Sequence, residues 1–135
     1  MIEILQLTEQ DYPTISKWWE EYHHSPFMPQ SCLPDNGTGG LMLYKDKIPI
    51  GCGFVYRTNS LIAWVEYVVF NKSYRGEDRN DLLLELIKQL EYFAKINGAS
   101  VCFTVTASES LIDKYKQNGW KGDKQPSYEF IKIIA

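Results

Sequence analysis

The chain has 135 residues, of which 44% are hydrophobic and 14% aromatic, which is enough apolar material for one core in a chain too short for two ordinary domains. Its formal net charge is -3, from 14 basic and 17 acidic residues, so it lacks the basic excess that binding to a nucleic-acid backbone requires. The composition therefore predicts a single domain over residues 1–135 and argues against nucleic acid as a partner.

The cysteines and the N-terminal residues bear on the compartment. The three cysteines are an odd number, and Cys52 and Cys102 lie inside apolar segments, where a reduced thiol behaves as a small hydrophobe. Residues 2–7 alternate between apolar and polar types and include an acidic residue, which is unlike a signal peptide. No window approaches the roughly 18 uninterrupted apolar residues of a membrane span. We therefore expect a cytoplasmic protein without a membrane partner.

In chain order, the first half of the sequence predicts a strand, a helix and a β-hairpin. The alternation over residues 2–7 predicts a half-buried strand. Thr8 and Asp11 have the spacing of a capping box, and aromatic residues at helical spacing after them predict a helix over residues 9–23. Beyond a proline-rich connection, two alternating segments around a polar tip predict a hairpin over residues 41–56.

The second half predicts two further helices, each placed between strands. An apolar strand over residues 61–70 precedes a leucine-rich helix that ends near Gly98. Because this helix makes a crossover, the strand before it and the next strand, over residues 99–106, should be parallel neighbours. A short helix closed by Gly119 and a last strand over residues 128–134 complete the order. The predicted fold class is α/β of the α+β type, a mixed and mostly antiparallel sheet of about six strands flanked by helices.

Two short motifs carry the functional information. The first lies between strand 61–70 and its helix, where the helix N-terminus offers unpaired N–H groups and a partial positive charge to a phosphate. The residues of this first motif are Arg75, Gly76, Glu77, Asp78, Arg79 and Asn80. The second motif contains Tyr115, four residues before Gly119 and followed by Trp120 after that glycine.

This element order and these motifs resemble the GNAT superfamily of acetyl-CoA-dependent N-acyltransferases. In that family the phosphate loop reads Gln/Arg-x-x-Gly-x-Gly/Ala, and a tyrosine stands four residues before Gly-Phe. Arg75 matches the first loop position, whereas Asp78 and Asn80 stand where the family has glycine or alanine. The resemblance covers residues 2–134 and implies a GNAT-like acyl-CoA N-acyltransferase fold with acetyl-CoA as cosubstrate.

The resemblance also implies where acetyl-CoA would bind. Its pyrophosphate would contact residues 75–80, and the backbone N–H groups of Val68, Val69 and Phe70 would bind the pantetheine and the thioester oxygen. The same three residues also suit an ordinary central strand. Ser108 stands where the family often has asparagine before the last helix, so it is a cofactor-binding candidate and equally a helix N-cap.

Charges of both signs surround the predicted phosphate loop. Glu77, Asp78 and Asp81 would repel a diphosphate, although they stabilise an empty helix N-terminus. Arg75 and Arg79 would attract it through charge-assisted hydrogen bonds. We therefore expect acetyl-CoA binding that is weaker than at a glycine-rich loop.

Two residues are candidates for the proton transfers that acyl transfer requires. Tyr115 occupies the position of the family's tyrosine acid and would protonate the leaving thiolate, and its alternative is a core aromatic. Glu66 is an acid inside an apolar strand, and a partly buried carboxylate has a raised pKa that suits a base acting through water. The alternative for Glu66 is an ion-paired or solvent-facing position.

The segment after the first helix contains the remaining candidates. His23 and His24 have no carboxylate or cysteine at a spacing that would complete a metal site, so they predict exposed loop residues and no metal. The resemblance places the acceptor groove near residues 22–33, where Phe27 and Met28 would make part of it apolar.

The leading prediction is an N-acetyltransferase that transfers acetyl from acetyl-CoA to a primary amine by direct attack in a ternary complex. The acceptor stays open among small-molecule and peptide amines, and the protein would be a monomer or a homodimer. The alternative, motivated by the acidic loop, is a GNAT-shaped binding or regulatory module that has lost acetyl-CoA binding. A third possibility keeps the pocket for another acyl-CoA or a different anion.

Overall fold

A five-stranded sheet with helices on both faces organises the chain. The computed structural model describes residues 1–22, 28–122, 128 and 130–135. The strands and helices are β1 Ile2–Gln6, α1 Tyr12–Glu21, β2 Gly40–Lys45, β3 Ile48–Arg57, β4 Ile62–Phe70, α2 Arg79–Ile96, β5 Val101–Phe103 and α3 Glu109–Gln117. The strand order is β1-β2-β3-β4-β5, and all neighbours are antiparallel except β4 and β5, which are parallel.

The first helix follows its capping signal. The Thr8 N–H donates to the Asp11 carboxylate at 2.8 Å, which satisfies one of the free donors at the helix start. A 3-10 turn precedes α1, which buries Ile15, Trp18 and Trp19 against the sheet. The predicted helix over residues 9–23 is confirmed as far as the description extends, since residue 23 lies outside it.

The hairpin and the central strand also match their predictions. Asp46 and Lys47 form the hairpin tip with φ of 49° and 67°, as a two-residue hairpin turn requires. In β4, Glu66 pairs with Phe54 and Val69 pairs with Cys52, so two residues of β4 face one of β3. The extra residue makes a β-bulge, and Tyr67 within it has a φ of 57°. This bulge has no counterpart in the sequence predictions.

The crossover through α2 is confirmed. Leucines and isoleucine at helical spacing bury one face of α2 on the sheet, opposite to the face that α1 covers, and Gly98 follows the helix with a φ of 102°. The resulting parallel pairing is short, because it joins only Ile62–Trp64 of β4 to Val101–Phe103 of β5. The strand predicted over residues 99–106 is therefore reduced to three residues.

The predicted last strand is wrong for the residues that the structure describes. Residues 128 and 130–135 belong to no strand, and Phe130 is 91% exposed. The apolar pattern there suits a strand, but among the described residues no strand pairs with the outer edge of β5. A groove of about 1510 Å³ runs along that edge, between the C-terminal half of α2 and α3. Of the described helices, none combines the length and apolar character of a membrane span.

Candidate active site where two strands diverge

β4 and β5 separate beyond Trp64 and Phe103, whose rings make the last contact of the paired region at 5.4 Å. Side chains bridge the gap from there. The Thr104 hydroxyl donates to the Val65 carbonyl at 2.6 Å, and the Val105 N–H donates to Glu66 Oε1 at 3.0 Å. Parallel strands that part in this way leave main-chain groups of both strands facing a cleft. Beyond this point β4 continues through residues 65–70, which include the predicted Val68, Val69 and Phe70.

Glu66 and Tyr115 reach this point from opposite faces of the sheet. Glu66 lies on the α1 side, half-buried, and its Oε1 is 3.5 Å from the Thr104 hydroxyl. Tyr115 is buried on the α2 side, where its ring centroid is 4.6 Å from that of Trp120. Burial raises the pKa of Tyr115 to about 12, and a hydrogen bond with Thr104 offsets part of that rise. Tyr115 is therefore a protonated donor at neutral pH, and Thr104 stands between the two candidates.

The pKa of Tyr115 predicts how stability depends on alkaline pH. The folded protein binds the phenol proton more tightly than the unfolded chain, so this contribution is complete below pH 10.0 and is lost as the pH rises through about 12. We expect the free energy of unfolding to fall over this window by about 2 kcal/mol more in the parent than in Tyr115→Phe. Burial also raises the pKa of Tyr44 and Tyr56. Because the parent and Tyr115→Phe both contain these tyrosines, their contributions to the free energy of unfolding cancel in the comparison. Urea unfolding at several pH values measures the difference, and equal losses would contradict the prediction.

In the predicted phosphate loop, the carboxylate of Asp78 is held by side-chain hydrogen bonds and makes no capping hydrogen bond to the described backbone at the α2 N-terminus. Lys45, at the end of β2, donates from Nζ to Asp78 Oδ2 at 2.7 Å and to the Tyr74 hydroxyl at 3.0 Å. The Tyr74 hydroxyl also donates to the other oxygen of Asp78. The hydrogen bonds from Lys45 and Tyr74 hold the pKa of Asp78 below its ordinary value. We call Lys45, Tyr74 and Asp78 the loop cluster, and it neutralises a carboxylate that the sequence predicts to repel phosphate.

Arg79 shapes the loop from within. Its guanidinium donates to the carbonyls of Asn71 and Tyr74 at 2.9 and 2.8 Å and to the Tyr22 hydroxyl at 3.0 Å, and it lies over the Phe70 ring at 5.4 Å. These contacts tie the start of α2 to the end of β4. Arg79 therefore fixes the loop backbone, which leaves Arg75, an exposed residue, as the cation with a free approach to solvent at the loop.

The first turn of α2 presents unpaired donors. The N–H groups of Asn80 and Asp81 make no hydrogen bond to any of the described residues, as is usual at the start of a helix. The side chains of Glu77 and Asp81 are exposed, so water and salt screen their charges. The helix end is thus able to accept an anion without an internal carboxylate competing for its N–H groups.

Gly76 is required by the loop cluster. A Cβ at this position would lie 2.2 Å from the Tyr74 hydroxyl and 2.7 Å from Asp78 Oδ1. We expect Gly76→Ala to push Tyr74 off Asp78 and to lower the free energy of unfolding by about 1–3 kcal/mol, as overpacking commonly does. Chemical denaturation measures this, with Gly122→Ala as control because a Cβ at Gly122 meets nothing within 4 Å. Equal stability of the two variants would contradict the prediction.

The structure places the other predicted residues as follows. Val69 and Phe70 are buried in the clusters on the α1 side and the α2 side, respectively. Ser108 is the N-cap of α3, with its hydroxyl accepting from the Leu111 N–H at 3.3 Å. His23, His24 and Phe27 lie outside the described residues. Sequence reasoning missed Lys45 and Thr104, because neither sits in a recognisable motif and each acts through a contact more than 30 residues away.

No protein-family model matches the chain, and no curated protein matches its sequence. Solved structures do match. A glucosamine-6-phosphate N-acetyltransferase from Arabidopsis thaliana is 11% identical with a TM-score of 0.67, over 98% of this chain and 99% of that one. An aminoglycoside acetyltransferase from an uncultured soil metagenomic sample is 14% identical with a TM-score of 0.66, over 98% and 97%. Rv2747 from Mycobacterium tuberculosis, in complex with CoA, is 13% identical with a TM-score of 0.70, over 93% and 76%.

Identities this low establish the fold and nothing finer. The chain has the GNAT acyltransferase fold, and the resemblance predicted from its element order is confirmed at that level. The predicted count of about six strands becomes five among the described residues.

Proposed function

We propose that the chain is an N-acetyltransferase that transfers acetyl from acetyl-CoA to a primary amine by direct attack in a ternary complex. One observation carries the proposal: in a fold shared with acetyltransferases, Glu66 and Tyr115 flank the divergence of β4 and β5 from opposite faces. A carboxylate on one side and a protonated phenol on the other are the acid and base pair that this reaction needs.

The residues at the start of α2 fit the pyrophosphate of acetyl-CoA. The N–H groups of Asn80 and Asp81 are unpaired within the described part of the chain, and the carboxylate of Asp78 is occupied by Lys45. Together with Gly76 and Arg75, the α2 N-terminus would hold the diphosphate. The backbone of Val68 to Phe70 and Ser108 remain the candidates for contacts along the pantetheine.

Each catalytic candidate has one task in this proposal. Bound acetyl-CoA supplies the thioester. Glu66, held by the Val105 N–H, accepts the proton that the ammonium must lose before the amine attacks, directly or through one water. Tyr115 donates its hydroxyl hydrogen to the sulfur as the C–S bond breaks and the C–N bond forms. The second proton of the nitrogen passes to the Tyr115 phenolate, directly or through water, and restores the phenol. The proton on Glu66 leaves to solvent, and the products are the acetylated amine and the CoA thiol.

Isothermal titration of the full chain with acetyl-CoA and with CoA tests the proposal. We expect both to bind, and acetyl-pantetheine, which lacks the diphosphate, to bind more weakly by about tenfold or more. Absence of binding at millimolar acetyl-CoA would overturn the enzyme function and leave the cofactor-free binding module. In that case the double variant with glycine at Asp78 and Asn80 shows whether the loop residues alone prevent binding.

A further inference from the structure

A second cleft opens on the α1 face of the sheet, on the side of β4 opposite to Tyr115. Its volume is about 420 Å³, within the range of small-molecule sites. Glu66, the candidate base, is one of the residues that line it. The residues that line it are Met28, Cys32, Tyr56, Trp64, Glu66 and Tyr67.

The walls of this cleft are aromatic and held in place. Trp64 and Tyr67 are each 37% exposed, a large fraction for side chains of this size in a sheet. The Tyr67 ring packs edge-on against Trp19 at 5.7 Å and Tyr56 at 6.2 Å, and the Tyr56 hydroxyl donates to the Cys32 carbonyl at 2.9 Å. Fixed aromatic faces bind a flat apolar group or a cation without losing side-chain freedom.

The backbone at Tyr67 is strained in a way that serves this wall. Its φ of 57° lies in the left-handed region, which is unfavourable for a bulky side chain. The bulge sets Tyr67 and Val68 against the single position Gly53 of β3, and the Tyr67 ring packs against Trp19 on the α1 face. Strain of this kind is concentrated at functional sites, where surrounding contacts maintain it.

Glu66 is the acidic side chain among the described residues of the cleft lining, the others being aromatic, methionine or cysteine. Its Oε1 accepts a hydrogen bond from the Val105 N–H. An acceptor with many hydroxyls, a phosphate or several cations would bring groups that the aromatic walls leave unsatisfied. A ligand with one ammonium group on an apolar arm would pair the ammonium with Glu66 and pack the arm against Trp64 and Tyr67.

We infer that this cleft is the acceptor site and that it takes primary monoamines carried on an aromatic arm. The inference rests on the acetyl transfer proposed above. The amine lies at Glu66, and the aromatic group lies between Trp64 and Tyr67.

Competition among acceptors tests the inference on the full chain with acetyl-CoA, by thiol release. We expect kcat/KM for phenethylamine and tryptamine to exceed that for glucosamine and spermidine by about 100-fold. Tyr67→Gly removes the wall and relieves the positive φ, so it should fold while raising KM for phenethylamine by about tenfold without changing the Kd of acetyl-CoA. Tyr92→Ala is the control, because it removes an exposed tyrosine ring from helix α2, where Tyr92 is 59% exposed.

The outcomes separate this inference from the proposed function. Equal or better turnover of glucosamine or spermidine, with acetyl-CoA bound, would overturn the acceptor class and keep the enzyme. If acetyl-CoA does not bind, titration of the cofactor-free protein with phenethylamine decides. Binding that is lost in Tyr67→Gly supports the cleft as an aromatic amine site, and absence of binding rejects it.

Discussion

Tyr115→Phe is expected to lower kcat by about 100-fold or more, because it removes the proposed proton donor to the leaving thiolate, along with the hydrogen bond between Tyr115 and Thr104. The ring is retained, so its contact with Trp120 at 4.6 Å and its place in the core on the α2 side are preserved. The Kd of acetyl-CoA should stay within about twofold, since the phenol acts on charge that develops in the transition state. Steady-state kinetics and titration calorimetry measure the two quantities.

The control for this variant is Tyr92→Phe, which removes a hydroxyl from an exposed position on α2. It should leave kcat unchanged. If Tyr115→Phe retains full kcat, or if its activity falls only in proportion to acetyl-CoA affinity, the phenol is a core aromatic and the assignment of Tyr115 as the acid is wrong.

The second large effect is expected at the loop cluster. Lys45→Met removes the cation that neutralises the Asp78 carboxylate, so this charge would repel the diphosphate of acetyl-CoA at the α2 N-terminus. We expect the Kd of acetyl-CoA to rise by about tenfold at low salt, and by less at high salt because the repulsion is screened. Asp78→Asn in the same chain should restore most of the affinity, since it removes the charge that Lys45 neutralises.

The rescue distinguishes this explanation from direct phosphate binding by Lys45. If Lys45 itself contacted the diphosphate, the double variant would bind as weakly as Lys45→Met. Lys47→Met is the matched control, because Lys47 is at the hairpin tip close to Lys45 but forms no ion pair among the described residues. A Lys47→Met variant as weak as Lys45→Met would show that general surface charge is responsible.

The elements of this fold could be predicted because their hydrophobic periods are clear. The helix that becomes α2 repeats its apolar residues at helical spacing, and the strand that becomes β4 is long, apolar and followed by a crossover. Tyr115 and Gly119 could be placed from the same pattern, since Gly119 follows α3 with a φ of 84°. These signals are local, and each one is read within a few residues.

What could not be predicted depends on distant contacts. Asp78 is an acid in a phosphate loop by sequence, and only the folded chain shows that Lys45 neutralises it. The alternation over residues 128–134 indicates a strand, but a strand forms only where another strand offers an edge, and the pattern carries no information about edges. The bulge at Tyr67 is likewise set by pairing with β3 and not by its own residue type.

The loop cluster also couples the local unfolding of two separate parts of the chain. Its lysine comes from the end of a hairpin and its tyrosine and aspartate from a connection 29 and 33 residues further along. The conformation of that connection is therefore a property of the assembled sheet, and a peptide of the same sequence grafted elsewhere would lack it. Fraying of the hairpin tip and loosening of the first turn of α2 belong to one cooperative event, so backbone amides in these two places should exchange with solvent together.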